Sequence, residues 1–331
     1  MDLSTKYLGL SLPHPFVLGA SPLSDTVERC QRMADAGVAA IVLRSLFEEQ
    51  IDQEALAHHD ATWGHADAHG EAMSYLPTAD GCVFGPDEYL EHVRAVKRVV
   101  GVPVIASLNG HTHSGWLDYA KSIDEAGADA LELNLYSVAT DPGESGSELE
   151  SEACAIVAAV KAGVRIPVAV KLSPFYTSLA NFALRLEAAG ADGLVLFNRF
   201  FEPDVDIEAL EVRTHMELSD HRELLLRLRW LAILSGHLRC SLAVTGGVHT
   251  ARDAIKAVMC GAHAVQVVAA VLKGGAGALT DLRTGVARWL EDAGYVSLRQ
   301  MRGSMDSSRT PDPKAFERVN YMRVLQTYRV D

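Results

Sequence analysis

Ala126-Gly127-Ala128-Asp129-Ala130-Leu131-Glu132-Leu133 and Ala189-Gly190-Ala191-Asp192-Gly193-Leu194-Val195-Leu196 carry one signal twice. A glycine able to take the left-handed conformation that ends a helix is followed at once by a short apolar strand. The signal recurs where Ala36-Gly37-Val38-Ala39-Ala40 leads into Ile41-Val42-Leu43, and where Cys260-Gly261-Ala262-His263-Ala264 leads into Val265-Gln266-Val267. A second kind of strand fills the gaps: Val102-Pro103-Val104-Ile105-Ala106, Ile166-Pro167-Val168-Ala169-Val170 and Cys240-Ser241-Leu242-Ala243-Val244. With Pro15-Phe16-Val17-Leu18 at the front, the strands number eight.

Amphipathic stretches over 26–36, 87–100 and 181–189 read as helices between them. Near-continuous apolar strands alternating with helices indicate parallel strands covered on both faces. A doubly wound open sheet shares that pattern, but the strict alternation of two strand types favours closure into a (β/α)8 TIM barrel. Residues 1–331 are expected to form one such domain. In this reading, 1–14 is a hairpin closing the bottom and 294–331 is a C-terminal tail. Tyr321, Met322, Val324, Leu325 and Tyr328 suggest that the tail docks, on this subunit or on another. Long loops follow the second, fourth and sixth strands (45–86, 136–150 and 199–219). All lie on the side where such barrels keep their active sites.

Charge excludes some partners. Lys and Arg total 30 against 43 Asp and Glu, a net charge of −13. Such a surface repels phosphate backbones and anionic lipid, so neither nucleic acid nor membrane is an expected partner. No segment reaches the roughly 20 apolar residues that cross a bilayer. Cys30, Cys82, Cys154, Cys240 and Cys260 lack metal-ligand or iron–sulfur spacing, and their scatter suits reduced thiols in a cytoplasmic protein. His58, His59, His65 and His69, with His111 and His113, form no metal motif and read as loop histidines.

Chemistry concentrates at strand ends. Thr245-Gly246-Gly247-Val248-His249-Thr250 follows the seventh strand and opens a helix that Thr250 can cap; two glycines let backbone N–H groups approach an anion. Lys171 ends the fifth strand and points its ammonium group into the mouth, where it could stabilise developing negative charge. Asn134 and Asn198 end the fourth and sixth strands, and their amides suit a flat ring bearing donors and acceptors. Ser107 and Asn109, with Ala20 and Ser21, fall on the same rim.

These stretches together resemble the dihydroorotate dehydrogenase family over roughly residues 5–295. The anchors are Gly19-Ala20-Ser21, Glu132-Leu133-Asn134-Leu135, Val170-Lys171-Leu172-Ser173-Pro174, Asn198, Thr245-Gly246-Gly247 and Asp253-Ala254. The resemblance implies an FMN-dependent oxidoreductase that moves hydride from a dihydro-heterocycle, dihydroorotate in pyrimidine synthesis, to flavin N5. It implies that Ala20 and Ser21 lie against the flavin ring and that Ser107 and Asn134 bond its edge. Lys171 would stand by the reduced ring, and Gly246, Gly247 and the Ala269 N–H would hold the phosphate. Ser137 falls where the family places its Cys or Ser base. Asn134 and Asn198 would bind substrate, a homodimer is expected, and the electron acceptor is unassigned.

The chain also departs from the family. Arg44-Ser45 stands where a Lys-Ser pair is usual beside the flavin, and Arg is a planar fork rather than a point charge. Val138-Ala139 replaces Pro-Asn after Ser137, Ala72 replaces a substrate-binding Asn, and Ser219-Asp220 replaces a glycine pair. Val268-Ala269 stands where Gly-Thr or Gly-Ser usually helps hold phosphate. These losses suggest a second reading, a catalytically degenerate flavin- or metabolite-binding barrel that serves as a regulatory partner. A barrel like the tRNA dihydrouridine synthases fits the charge of −13 poorly.

Overall fold

The helix ends announced by the four glycines close in the same way in the computed structural model, which describes residues 1–47, 85–109, 113–136, 138–200, 202–213, 217–327 and 329. Gly37, Gly127, Gly190 and Gly261 take φ of 86°, 91°, 105° and 117°, open to glycine and costly for a side chain. At each, the glycine N–H donates three residues back, and the next N–H donates five residues back, as from Ala191 to Leu186 at 3.0 Å. The chain then turns directly into a strand.

Two positions after three of these glycines, a side chain caps the neighbouring strand. The Asp129 carboxylate accepts from Val104 N at 2.7 Å and from Lys97 Nζ at 2.7 Å. Asp192 does the same for Val168 N and Lys161 Nζ. His263 substitutes Nδ1, which accepts from Leu242 N at 3.1 Å. The first repeat has Ala39 at that position, and His14 takes over: Nδ1 accepts from Phe16 N while Nε2 donates to Gly37 O. Both histidines must be neutral for this, and burial pushes each down to about 4.

Eight parallel strands close the barrel: β1 (Phe16–Leu18), β2 (Ile41–Val42), β3 (Val104–Asn109), β4 (Ala130–Asn134), β5 (Val168–Leu172), β6 (Gly193–Leu196), β7 (Ser241–Thr245) and β8 (Ala264–Val267). Closure is made by Leu18 opposite Ile41 and by Val265 opposite Phe16. The fold is therefore the expected TIM barrel. β3 and β5 begin two residues later than the sequence suggested, because Pro103 and Pro167 have no N–H for the ladder. Their carbonyls still accept, from Ile41 and Leu131.

Alternation along each strand divides the core. Residues such as Leu131, Leu133, Val168 and Val170 face the helices, which include α1 (Val27–Asp35), α2 (Pro86–Val99), α3 (His113–Glu125), α4 (Gly146–Gly163) and α5 (Leu179–Ala188). Inside, Val17, Val42, Ile105, Ala130, Ala169, Val195, Ala243 and Ala264 form a floor of mostly small side chains. The hairpin of Thr5–Tyr7 and Leu10–Leu12 plugs it with Tyr7, Leu8 and Leu12, anchored by Leu8 N to Ser241 Oγ at 3.0 Å.

On the far side of the ring follow α6 (Leu224–Ser235), α7 (Ala251–Met259), α8 (Ala269–Gly274) and α9 (Gly277–Asp292). The tail then lays α10 (Leu298–Met301) on the barrel, with Leu298 and Met301 fully buried, before ending in α11 (Arg318–Thr327), which has no buried residue. The stretch 199–219 contains a two-stranded ribbon, Asp204–Asp206 with Glu211–Arg213, that the sequence reading took as loop alone. Alternation over three residues is too short a signal to separate from loop. No helix among the described residues is long and apolar enough to cross a membrane.

Candidate functional site

Above the apolar floor, the inward-facing side chains become polar: Ser107 and Asn109 on β3, Glu132 and Asn134 on β4, Lys171 on β5, Thr245 on β7 and Gln266 on β8. All are buried. Strand pairing places Asn134 beside Lys171, Ser107 beside Glu132, and Thr245 beside Gln266. Gln266 Nε2 donates to Glu132 Oε2 at 2.5 Å, and Lys171 Nζ lies 3.6 Å from Glu132 Oε1. That oxygen and Gln266 Oε1 have no hydrogen-bond partner, so acceptor capacity is left inside the mouth. A buried carboxylate at mid-barrel is tolerable only with such a cation and donor. Glu132 thus holds the lysine charge in place.

The structure brings most of the sequence-selected residues together. Asn198 Nδ2 donates to Asn134 Oδ1 at 2.6 Å, so the two amides form one unit across β4 and the end of β6. Ser45 Oγ and Ser107 Oγ are 2.8 Å apart. Tyr89 of α2 fixes the Ser107 backbone from behind, its hydroxyl donating to Ser107 O and accepting from Ser107 N. Burial pushes its phenol up, consistent with a structural donor. Ala20 is half-buried and Ser21 buried, with Ser21 Oγ donating to Gly19 O. Arg44 is drawn to the rim instead: its Nη1 lies 2.9 Å from Asp25 Oδ2. Ser137, Ala72, His58, His59, His65, His69, His111 and Cys82 lie outside the described residues.

Gly246 and Gly247 take φ of 82° and 79° at the end of β7. A Cβ on Gly247 would sit 2.5 Å from the backbone N of Leu224, so no side chain fits without moving α6. Thr250 caps α7 as expected, but Asp253 accepts from the N–H groups of His249 and Thr250. Asp253 thus satisfies the residues just before α7, and at the glycine turn the Gly247 N–H is taken by Ser219 Oγ at 3.3 Å. Ala269 opens α8 directly after β8.

Three features escaped the sequence reading. Arg227 is buried behind the glycine turn, donating to Thr245 O at 2.5 Å and to Glu223 O at 2.7 Å. It brings positive charge to that loop, and burial lowers its pKa. Its signal was available, since Leu224, Arg227 and Leu231 share one helix face. Ser219, read as a loss, ties its own loop to the glycine turn and to α8: its Oγ accepts from Gly247 N at 3.3 Å and its carbonyl accepts from Lys273 Nζ at 3.1 Å. Tyr136, Phe175 and Phe200, from the loops after β4, β5 and β6, form an aromatic cluster: Tyr136 stacks on Phe200 at 4.5 Å between centroids, and Phe175 meets Phe200 edge to face at 4.9 Å. Burial pushes the Cys30, Cys240 and Cys260 thiols up to about 12, so these three stay protonated at neutral pH.

A family model described as dihydroorotate dehydrogenase matches residues 83–290, more than half the chain. The chain belongs to the dihydroorotate dehydrogenase family. It is 26% identical, over 94% of its length and 78% of the relative's, to the NAD-dependent dihydropyrimidine dehydrogenase subunit PreA of Escherichia coli K12. It is 27% identical to the catalytic subunit of dihydroorotate dehydrogenase B (NAD(+)) of Pyrococcus abyssi, covering 91% of this chain and 98% of the relative. The corresponding subunit of Methanocella arvoryzae is 30% identical, covering 88% and 94%. Membership in the dihydroorotate dehydrogenase family makes this barrel a dehydrogenase-like oxidoreductase. Its polar mouth lies where that chemistry belongs in the fold.

Proposed function

We propose that the barrel is an FMN-dependent dehydrogenase acting on the CH–CH bond of a dihydropyrimidine ring. The observation that supports this most is the mouth itself. A buried cation, Lys171, stands among paired amides and hydroxyls, beside a glycine turn that admits no side chain. Those residues fit FMN. Gly246, Gly247 and the Ala269 N–H would hold the phosphate, with the buried Arg227 behind the turn. Ala20, Ser21, Ser45, Ser107 and Asn134 would border the ring. Glu132 Oε1 and Gln266 Oε1, buried in the same layer, have no hydrogen-bond partner. Bound there, FMN supplies the electron-pair acceptor that no amino-acid side chain provides.

The chain's own residues do the rest. Lys171 stabilises negative charge near the ring edge, at a position where Glu132 keeps its ammonium aimed. The Asn134–Asn198 unit reads the amide edges of a flat substrate, and the Tyr136–Phe200 pair offers it an apolar wall. Ser137 removes the ring proton as base. The names of the relatives supply the substrate class, since dihydroorotate and the dihydropyrimidines share one ring. Both names also describe subunits, so the electrons are proposed to leave through a partner subunit or a soluble acceptor.

The spectrum of freshly purified protein tests the reading. Bound yellow flavin, released by heat and identified as FMN, supports it; colourless protein that takes up no FMN in excess ends it. Anaerobic addition of dihydroorotate, then of dihydrouracil, should bleach the flavin band with one of the two. Lys171→Ala should keep the fold and lose the bleaching.

A further inference from the structure

Apolar bulk is all that a plug at the bottom of the barrel requires, and Leu8 and Leu12 supply it from the hairpin. Tyr7 beside them carries a hydroxyl into a fully buried position. That hydroxyl has no hydrogen-bond partner among the described residues. A buried hydroxyl left unpaired costs stability, so phenylalanine would make the better plug if bulk were the only need.

The surroundings of the phenol give it another use. Burial and the Glu132 charge push its pKa up, and Gln266 of β8 is the polar side chain that acts on it against them. The phenol therefore stays protonated and lies against the Gln266 amide. Gln266 Nε2 gives one of its two N–H bonds to Glu132 Oε2 at 2.5 Å, and Gln266 Oε1 has no partner. A phenol both donates and accepts, so it matches the unused capacity on either atom of the amide. A small rotation of either side chain joins them. Glu132 Oε1 in turn lies 3.6 Å from Lys171 Nζ. Four buried side chains, from the hairpin, β8, β4 and β5, thus form one polar column through the barrel.

We propose that Tyr7 is a positioning residue: its hydroxyl holds the Gln266 amide, which holds Glu132, which sets the Lys171 ammonium at the mouth. The plug at the bottom of the barrel thereby fixes a charge at its top. The consequence for flavin rests on the FMN reading above, whereas the linkage itself does not.

Tyr7→Phe keeps the ring and removes the hydroxyl. Urea unfolding of FMN-free wild type, Tyr7→Phe, Lys171→Met and the double variant measures whether the two groups act together. The effect of Tyr7→Phe on the unfolding constant should differ by at least about 3-fold between the wild-type and Lys171→Met backgrounds. Ser241→Ala is the control, because it removes the bond to Leu8 N that anchors the same hairpin. It should loosen the plug without coupling to Lys171→Met. In FMN-loaded protein, Tyr7→Phe should weaken binding of reduced relative to oxidised flavin by at least about 3-fold. That is a fall of about 14 mV in the two-electron midpoint potential, and Ser241→Ala should leave the potential unmoved. Additive effects of Tyr7→Phe and Lys171→Met would overturn the proposal. So would a potential that Tyr7→Phe leaves at the wild-type value, or one that Ser241→Ala moves as far. Protein that takes up no FMN would end the functional reading, and the FMN-free cycle would then decide the linkage by itself.

Discussion

Lys171→Met would leave the Glu132 carboxylate fully buried, with one hydrogen bond from Gln266 and one oxygen unpartnered. At 3.6 Å, with an effective dielectric of about 20, the lost attraction is about 4–5 kcal/mol. Breaking a buried pair on one side typically costs about 3–5 kcal/mol. Glu132→Gln should cost less, about 1–3 kcal/mol, because the Lys171 side chain is 11% exposed and retains some hydration at the mouth. The double variant removes both charges while the glutamine still accepts from Gln266, so it should lie within about 1 kcal/mol of wild type. Urea unfolding of the FMN-free protein at neutral pH and fixed ionic strength measures all four corners of the cycle. Single effects that add within about 0.5 kcal/mol would show that the two groups do not hold each other, and the account of the lysine's placement would fall.

Other expectations follow from neighbouring geometry. Gly247→Ala meets the Leu224 backbone at 2.5 Å, whereas Gly246→Ala meets the Arg227 guanidinium at 2.8 Å, a side chain held by hydrogen bonds but able to give more than backbone can. Flavin titration should therefore show the first losing FMN affinity by at least about 10-fold more than the second, a difference of about 1.4 kcal/mol. His14 and His263 have folded pKa values pushed down to about 4 from 6.5. Their contribution is present above about pH 6.5 and is lost as pH falls toward 4, so the urea midpoint should drop across that window. His263→Asp supplies the acceptor that Asp129 and Asp192 already provide, and it should flatten that drop; an unchanged slope would absolve His263. Ser137→Ala should lower kcat far more than it raises KM for the substrate that bleaches the flavin. Equal turnover would place the base elsewhere.

The floor and wall of this protein were legible in the sequence because their causes are local. A glycine that ends a helix, a two-residue link and an apolar run act within ten residues, and four repetitions of them set the α/β alternation. Strand-end residues such as Lys171, Asn134, Ser107 and the Gly246-Gly247 turn were legible for the same reason. Glu132 stood in the sequence only as part of an anchor stretch, with nothing to say what it would meet. That depended on closure, which carries Gln266 of β8 across the barrel to Glu132 of β4, residues far apart in the chain. Closure likewise placed Arg227 behind the glycine turn and let Ser219 tie that turn to α8. The ribbon was decided at the same level, because pairing register, and not composition, determines which side of a strand each residue takes.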